Sequence, residues 1–139
     1  MEISPKIVCN VIKAEKMACE MGNPAWLEID LDALTHNVSV IRKNGPKGAI
    51  MCGVVKGDGY GHGSVAIASH LLNLNFERLA VATTDEGIFI RNALGEEFKH
   101  VPMHLLGPSH PVELKVCRKY NFIPTICTDI AADTWAELN

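Results

Sequence analysis

Apolar and polar positions divide the chain into short segments whose period switches between 3.6 and two. In residues 1–21, Ile7, Val11, Ala14 and Ala18 fall on one stripe, with Ser4 as cap and Pro5 at the first helical position, which predicts a helical extension. Gly22-Asn23-Pro24 stops it, so residues 1–24 read as an N-terminal extension ahead of a domain over 25–139. Trp26-Leu27-Glu28-Ile29-Asp30 alternates like a strand. Leu31, Leu34, Val38 and Ile41 then recur at helical spacing, with Asp30 or Asp32 as cap and Asn44-Gly45-Pro46 as stop.

Past residue 49 the pattern repeats. The apolar run Ile50–Val55 predicts a buried strand, followed by a glycine-rich loop and a helix over Val65–Leu72. Leu79–Ala82 is a second strand, and Thr83 with Glu86 forms a capping box for a helix to Leu94 that Gly95 closes. Val101–Leu106 is a third strand, followed by a helix from about Pro111 to Tyr120. Phe122–Cys127 is a fourth, and Asp129 caps a last helix with Ala131, Trp135 and Leu138 on one face. Strands that alternate with helices and are apolar on both faces predict an α/β fold with a parallel sheet buried by helices. Four such β-α units make close to half of a (β/α)8 barrel, whose full circle typically takes about 250 residues. The same pattern suits a four-stranded open sheet.

Composition narrows the partners. The chain is 47% hydrophobic and 21% charged over 139 residues, which excludes bulk disorder. A net charge of −3 gives no electrostatic case for nucleic acid or acidic lipid. No run approaches the roughly 18 apolar residues of a membrane span, so no membrane partner is expected. Cys9, Cys19, Cys52, Cys117 and Cys127 are odd in number and nowhere spaced as a C-x-x-C pair, against a disulfide framework or a zinc knuckle. Cys52, inside an apolar run, reads as a small buried hydrophobe. The stretch Ile7–Ile12, broken by Asn10, is too short and polar for a secretory signal, so the expected location is the cytoplasm. Only His100 and His104 have i, i+4 spacing, and they straddle Pro102 in a strand, so no metal site is expected. His104 reads as a hydrogen-bonded core residue.

Candidate chemistry concentrates in Val54-Val55-Lys56-Gly57-Asp58-Gly59-Tyr60-Gly61-His62-Gly63-Ser64. Lys56 stands at the carboxyl end of a parallel strand, where sites of α/β folds lie. Alternation puts Val54 and Lys56 on one face. Were that face inward, a dry core would lower the ammonium pKa, as a Schiff-base lysine needs. The glycines allow a sharp turn and close approach to a ligand, the amides at the helix start suit a phosphate, and Tyr60 adds a hydroxyl donor. Each feature has a plainer reading: a solvated lysine, and glycines as turn punctuation. Gly61-His62-Gly63 with Ala66 loosely matches a dinucleotide fingerprint, and Asp85 lies at about the ribose-contact distance, although inside the capping box. A non-catalytic phosphate- or nucleotide-binding module and an inert truncated remnant therefore stay open. His62 reads as a structural hydrogen bonder.

Longer motifs point to a family. Trp26-Leu27-Glu28-Ile29-Asp30-Leu31-Asp32-Ala33-Leu34-Thr35-His36-Asn37 resembles the opening of the alanine racemase family, and the Lys56 segment with its Tyr60-Gly61-His62-Gly63 run resembles that family's cofactor-attachment motif. Ala80-Val81-Ala82-Thr83 with Glu86, then Leu105-Leu106-Gly107, are similar to its next two strands in order and spacing. The resemblance covers about residues 25–139. It implies a fold-type III barrel that interconverts L-alanine and D-alanine, feeding D-alanine biosynthesis, with pyridoxal 5'-phosphate held as a Schiff base on Lys56. It implies further that Lys56 is one of two bases exchanging the α-proton. Tyr60 would bond the cofactor phosphate, and Val54 and Leu106 would line the pocket. The family is homodimeric, and its second base is a tyrosine of a C-terminal β domain that no position here matches. The resemblance thus implies that this chain is the amino-terminal half-barrel, without the rest of the barrel and the β domain, and weakly active or inactive alone. The family commonly has alanine where Gly57 and Gly59 stand, which should loosen the loop.

Overall fold

A computed structural model describes residues 27–138. The expected helical extension, its stop and Trp26 lie outside the described residues. The chain divides into two compact units, Met1–Asp30 and Leu31–Asn139. In the first, residues 27–30 form no strand, and Leu27 leaves 70% of its surface exposed, so the alternation there has no buried face behind it.

The second unit is built of repeating β-α steps. Helix α1 (Leu31–Asn44) precedes β1 (Cys52–Val54), α2 (Ser64–Asn73), β2 (Arg78–Val81), α3 (Thr84–Leu94) and β3 (Met103–Pro108). Then come α4 (Leu114–Tyr120), β4 (Phe122–Thr125) and α5 (Asp129–Glu137), with single 3-10 turns at Glu96–Phe98 and Pro111–Glu113. The four strands lie in the order β1-β2-β3-β4, every pair parallel. Right-handed crossovers between strands that follow one another in sequence order carry every connecting helix to one face. That arrangement belongs to a barrel segment; a doubly wound sheet reverses its strand order and covers both faces.

Local chemistry sets the boundaries. Thr83 Oγ1 accepts the Glu86 amide at 3.3 Å while the Glu86 carboxylate accepts the Thr83 amide at 3.4 Å, the expected capping box of α3. The cap of α5 is Thr128, whose hydroxyl accepts the Ala131 amide, and Asp129 is the first helical residue instead. The expected single helix from Pro111 is a 3-10 turn opened by His110, followed by α4. The third strand begins at Met103, not Val101: Pro102 has no amide to give the ladder, and its carbonyl accepts from Leu79.

The core lies between the sheet and its helices. Val55, Leu79, Val81, Met103, Leu105 and Phe122 face the helices and are buried against Ala68, Leu71, Ile90, Leu94 and Cys117. Each large apolar side chain so buried contributes about 1.5–3 kcal/mol. Contacts are close: a Cβ on Gly53 would sit 2.7 Å from a Leu71 methyl, and one on Gly87 would sit 2.7 Å from the Phe122 ring. Arg91 is buried beside that ring and donates to the carbonyls of Phe98 and Val101. Burial lowers its guanidinium pKa.

The opposite face corrects two expectations. β2 is buried on both sides, but β1 and β3 are not, because alternation turns Cys52, Val54, His104 and Leu106 away from the helices. Cys52 and Val54 are exposed, so Cys52 is not a buried hydrophobe; its neighbour Gly53 takes the buried side of β1. His104 is half-buried there and accepts a 3.1 Å hydrogen bond from Arg78.

Candidate active site

The last ladder contact of β1 is the Val55 amide donating to the Ala80 carbonyl at 2.8 Å, after which the chain leaves the sheet at Lys56. The next four residues make one left-handed turn: φ is 58° at Gly57, 52° at Asp58, 62° at Gly59 and 56° at Tyr60. Glycine takes this conformation freely, whereas Asp58 and Tyr60 each carry about 1–2 kcal/mol of strain.

Hydrogen bonds hold the turn. The Gly57 amide donates to Glu86 Oε1 at 2.8 Å. The Asp58 carbonyl accepts the Gly61 and Gly63 amides, and its side-chain Oδ1 accepts the Ser64 amide at 2.8 Å. His62 Nδ1 lies 3.1 Å from the Gly59 and Tyr60 carbonyls, which gives His62 the structural role expected of it. Bonds to a carboxylate contribute about 1.5–3 kcal/mol each, enough to offset the strain. Neither Asp58 nor Glu86 stood out in the sequence as a loop anchor. In the sequence Glu86 reads as a helix cap within a family motif, and Asp58 as a polar residue between glycines of the Lys56 segment.

The four sequence-predicted site residues share one region. Lys56 is half-buried, and its Nζ lies 5.9 Å from the centroid of the Tyr60 ring, within cation–π range. Tyr60 is 62% exposed. Val54, 40% exposed, precedes Lys56 by two positions on the same face. Leu106 is 48% exposed on that face of β3, beyond Ala82 and level with Lys56 by the register of β2 with β3. Strands two apart stand about 10 Å from each other, so Val54 and Leu106 are apolar side chains on the same sheet face, on either side of β2. The dry surround expected for Lys56 is absent from this exposed face. Exposed apolar side chains, one amine and one phenol on one face suit an aromatic aldehyde bearing a phosphate, so the chemistry of these residues fits pyridoxal 5'-phosphate.

At the start of α2, where an anion site is expected, the first amide, that of Ser64, is already bonded to Asp58. The cleft beside it is lined by Val55, Asp58, Ser64, Asp85, Glu86 and Phe89. Three carboxylates there repel a nucleotide phosphate, and Asp85 sits in the first turn of α3 rather than at a strand end.

Comparison with known proteins agrees with this fold. Residues 29–139 match the family described as alanine racemase, N-terminal domain. An alanine racemase of Desulforamulus reducens is 41% identical over 107 residues, 76% of this chain and 28% of that protein. The solved alanine racemase of Clostridium difficile superposes with a TM-score of 0.73 at 32% identity, over 83% of this chain and 30% of that one. That of Bacillus anthracis with bound L-Ala-P gives 0.71 at 34% identity, over 81% and 28%. The chain spans less than a third of the length of these relatives. With the parallel sheet and Lys56 at the end of β1, a match across residues 29–139 settles kinship: the chain belongs to the alanine racemase family, through that family's N-terminal domain.

Proposed function

We propose that this chain is the cofactor-bearing part of a pyridoxal 5'-phosphate-dependent amino-acid racemase acting on alanine in the cytoplasm. The carrying observation is Lys56 at the carboxyl end of β1 with its Nζ against the Tyr60 ring. Family membership supports the reading, as does the L-Ala-P bound by the Bacillus anthracis relative.

Lys56 Nζ would hold the cofactor covalently and take or return the proton at the alanine Cα from one side. The Tyr60 hydroxyl would donate to the cofactor phosphate, and Val54 and Leu106 would line the pocket. When bound, pyridoxal 5'-phosphate supplies the electron sink that makes that proton removable. Racemisation needs a second base on the opposite side, which in the full-length homodimeric form of the family would come from the C-terminal β domain of the other subunit. The left-handed turn keeps the Tyr60 ring beside Lys56 Nζ.

Titration with pyridoxal 5'-phosphate, followed by visible absorbance, tests the assignment. The wild-type chain should give a saturable signal, Lys56→Ala none, and Tyr60→Phe one with about tenfold weaker affinity. Equal signals from wild type and Lys56→Ala would rule the assignment out.

A further inference from the structure

The Glu86 carboxylate joins three segments. Its Oε1 accepts the Gly57 amide at 2.8 Å, and its Oε2 accepts the amides of Ala82 at 2.8 Å and Thr83 at 3.4 Å. One side chain of the first turn of α3 therefore ties the end of β2 to the residue that follows Lys56. A helix cap needs only the second oxygen; the first is spent on a loop 29 residues away. We propose that Glu86 is a positioning residue for Lys56: it fixes the Gly57 peptide and thereby the direction in which the lysine leaves β1. The proposal rests on the reading of Lys56 as the cofactor lysine.

The geometry explains why a carboxylate is required. Both oxygens face backbone donors, and only an ionised carboxyl accepts at both ends. A glutamine has one accepting oxygen and one NH2, which would meet an N–H donor on whichever side it lay. Glu86→Gln is thus nearly isosteric, but its one oxygen stays with the two donors at the β2 end, Ala82 and Thr83, and the Gly57 amide is released. Thr83→Ala is the matched control. It removes the hydroxyl that accepts the Glu86 amide at 3.3 Å and weakens the cap of α3, with no bond to Gly57 lost.

Two measurements on the full chain decide the matter. Amide exchange at Gly57, followed by NMR without cofactor, should speed up about tenfold or more in Glu86→Gln. Thr83→Ala should leave it as in wild type. The pH profile of Lys56 labelling by pyridoxal 5'-phosphate and borohydride should shift in Glu86→Gln and not in Thr83→Ala. Unchanged Gly57 exchange in Glu86→Gln, or equal effects of the two variants, overturns the proposal. A wild-type chain whose Lys56 takes no label overturns the cofactor reading instead, and the exchange data still decide whether Glu86 holds the turn.

Discussion

Asp58 Oδ1 accepts the Ser64 amide at 2.8 Å, so the first amide of α2 is capped from inside the lysine-bearing turn. The helix has no cap of its own, because Gly63 at its N-cap offers no side chain. Turn and helix are thereby fastened by one carboxylate, and losing it should loosen both. Asp58→Ala should lower stability by about 2 kcal/mol, combining a lost cap with a left-handed alanine. Asp58→Asn keeps an acceptor oxygen and tolerates the left-handed region, so it should retain most of that stability. Urea unfolding of the two variants checks the order; equal losses would mean that the hydrogen bond contributes nothing.

Gly87 lies inside α3, where alanine would ordinarily raise stability by about 1 kcal/mol. Here its Cβ would stand 2.7 Å from the Phe122 ring. That ring cannot retreat easily: it is 3% exposed, stacked 5.8 Å from Tyr120 and covered by the Arg91 guanidinium. Overpacking wins, and Gly87→Ala should cost about 1–3 kcal/mol. A thermal melt showing stabilisation would refute the packing of α3 on β4.

His104 links stability to pH. Burial, and then the Arg78 guanidinium beside it, hold its imidazole below the usual pKa. The unfolded chain therefore binds the proton first as pH falls. Stability should drop through the ordinary histidine range toward the lowered folded value and level off below it. His104→Gln should remove that part of the drop. Urea midpoints at about pH 8 and about pH 5 for both proteins measure it, and an identical drop in the variant would discount His104.

The local devices were legible because they are written within a few residues. The Thr83–Glu86 box, the apolar runs of β1 to β4 and the pairing of Val54 with Lys56 on one face all follow from spacing alone. Relations that depend on the folded path were not. Asp58 reaches Ser64 only because four residues turn left-handed, and Glu86 reaches Gly57 only because β1 and β2 are neighbours. Apolar composition predicted strands buried on both faces, yet Val54 and Leu106 are exposed, because composition does not say which face the helices cover. The alternation at 27–30 likewise named a strand where the structure has none.

The central claim is that Lys56 is the residue that takes pyridoxal 5'-phosphate. Borohydride reduction of the full chain with the cofactor, followed by peptide mapping, reads this directly. The account predicts a stable pyridoxyl group on Lys56 in preference to every other lysine. A label distributed over surface lysines with Lys56 unmodified would contradict it.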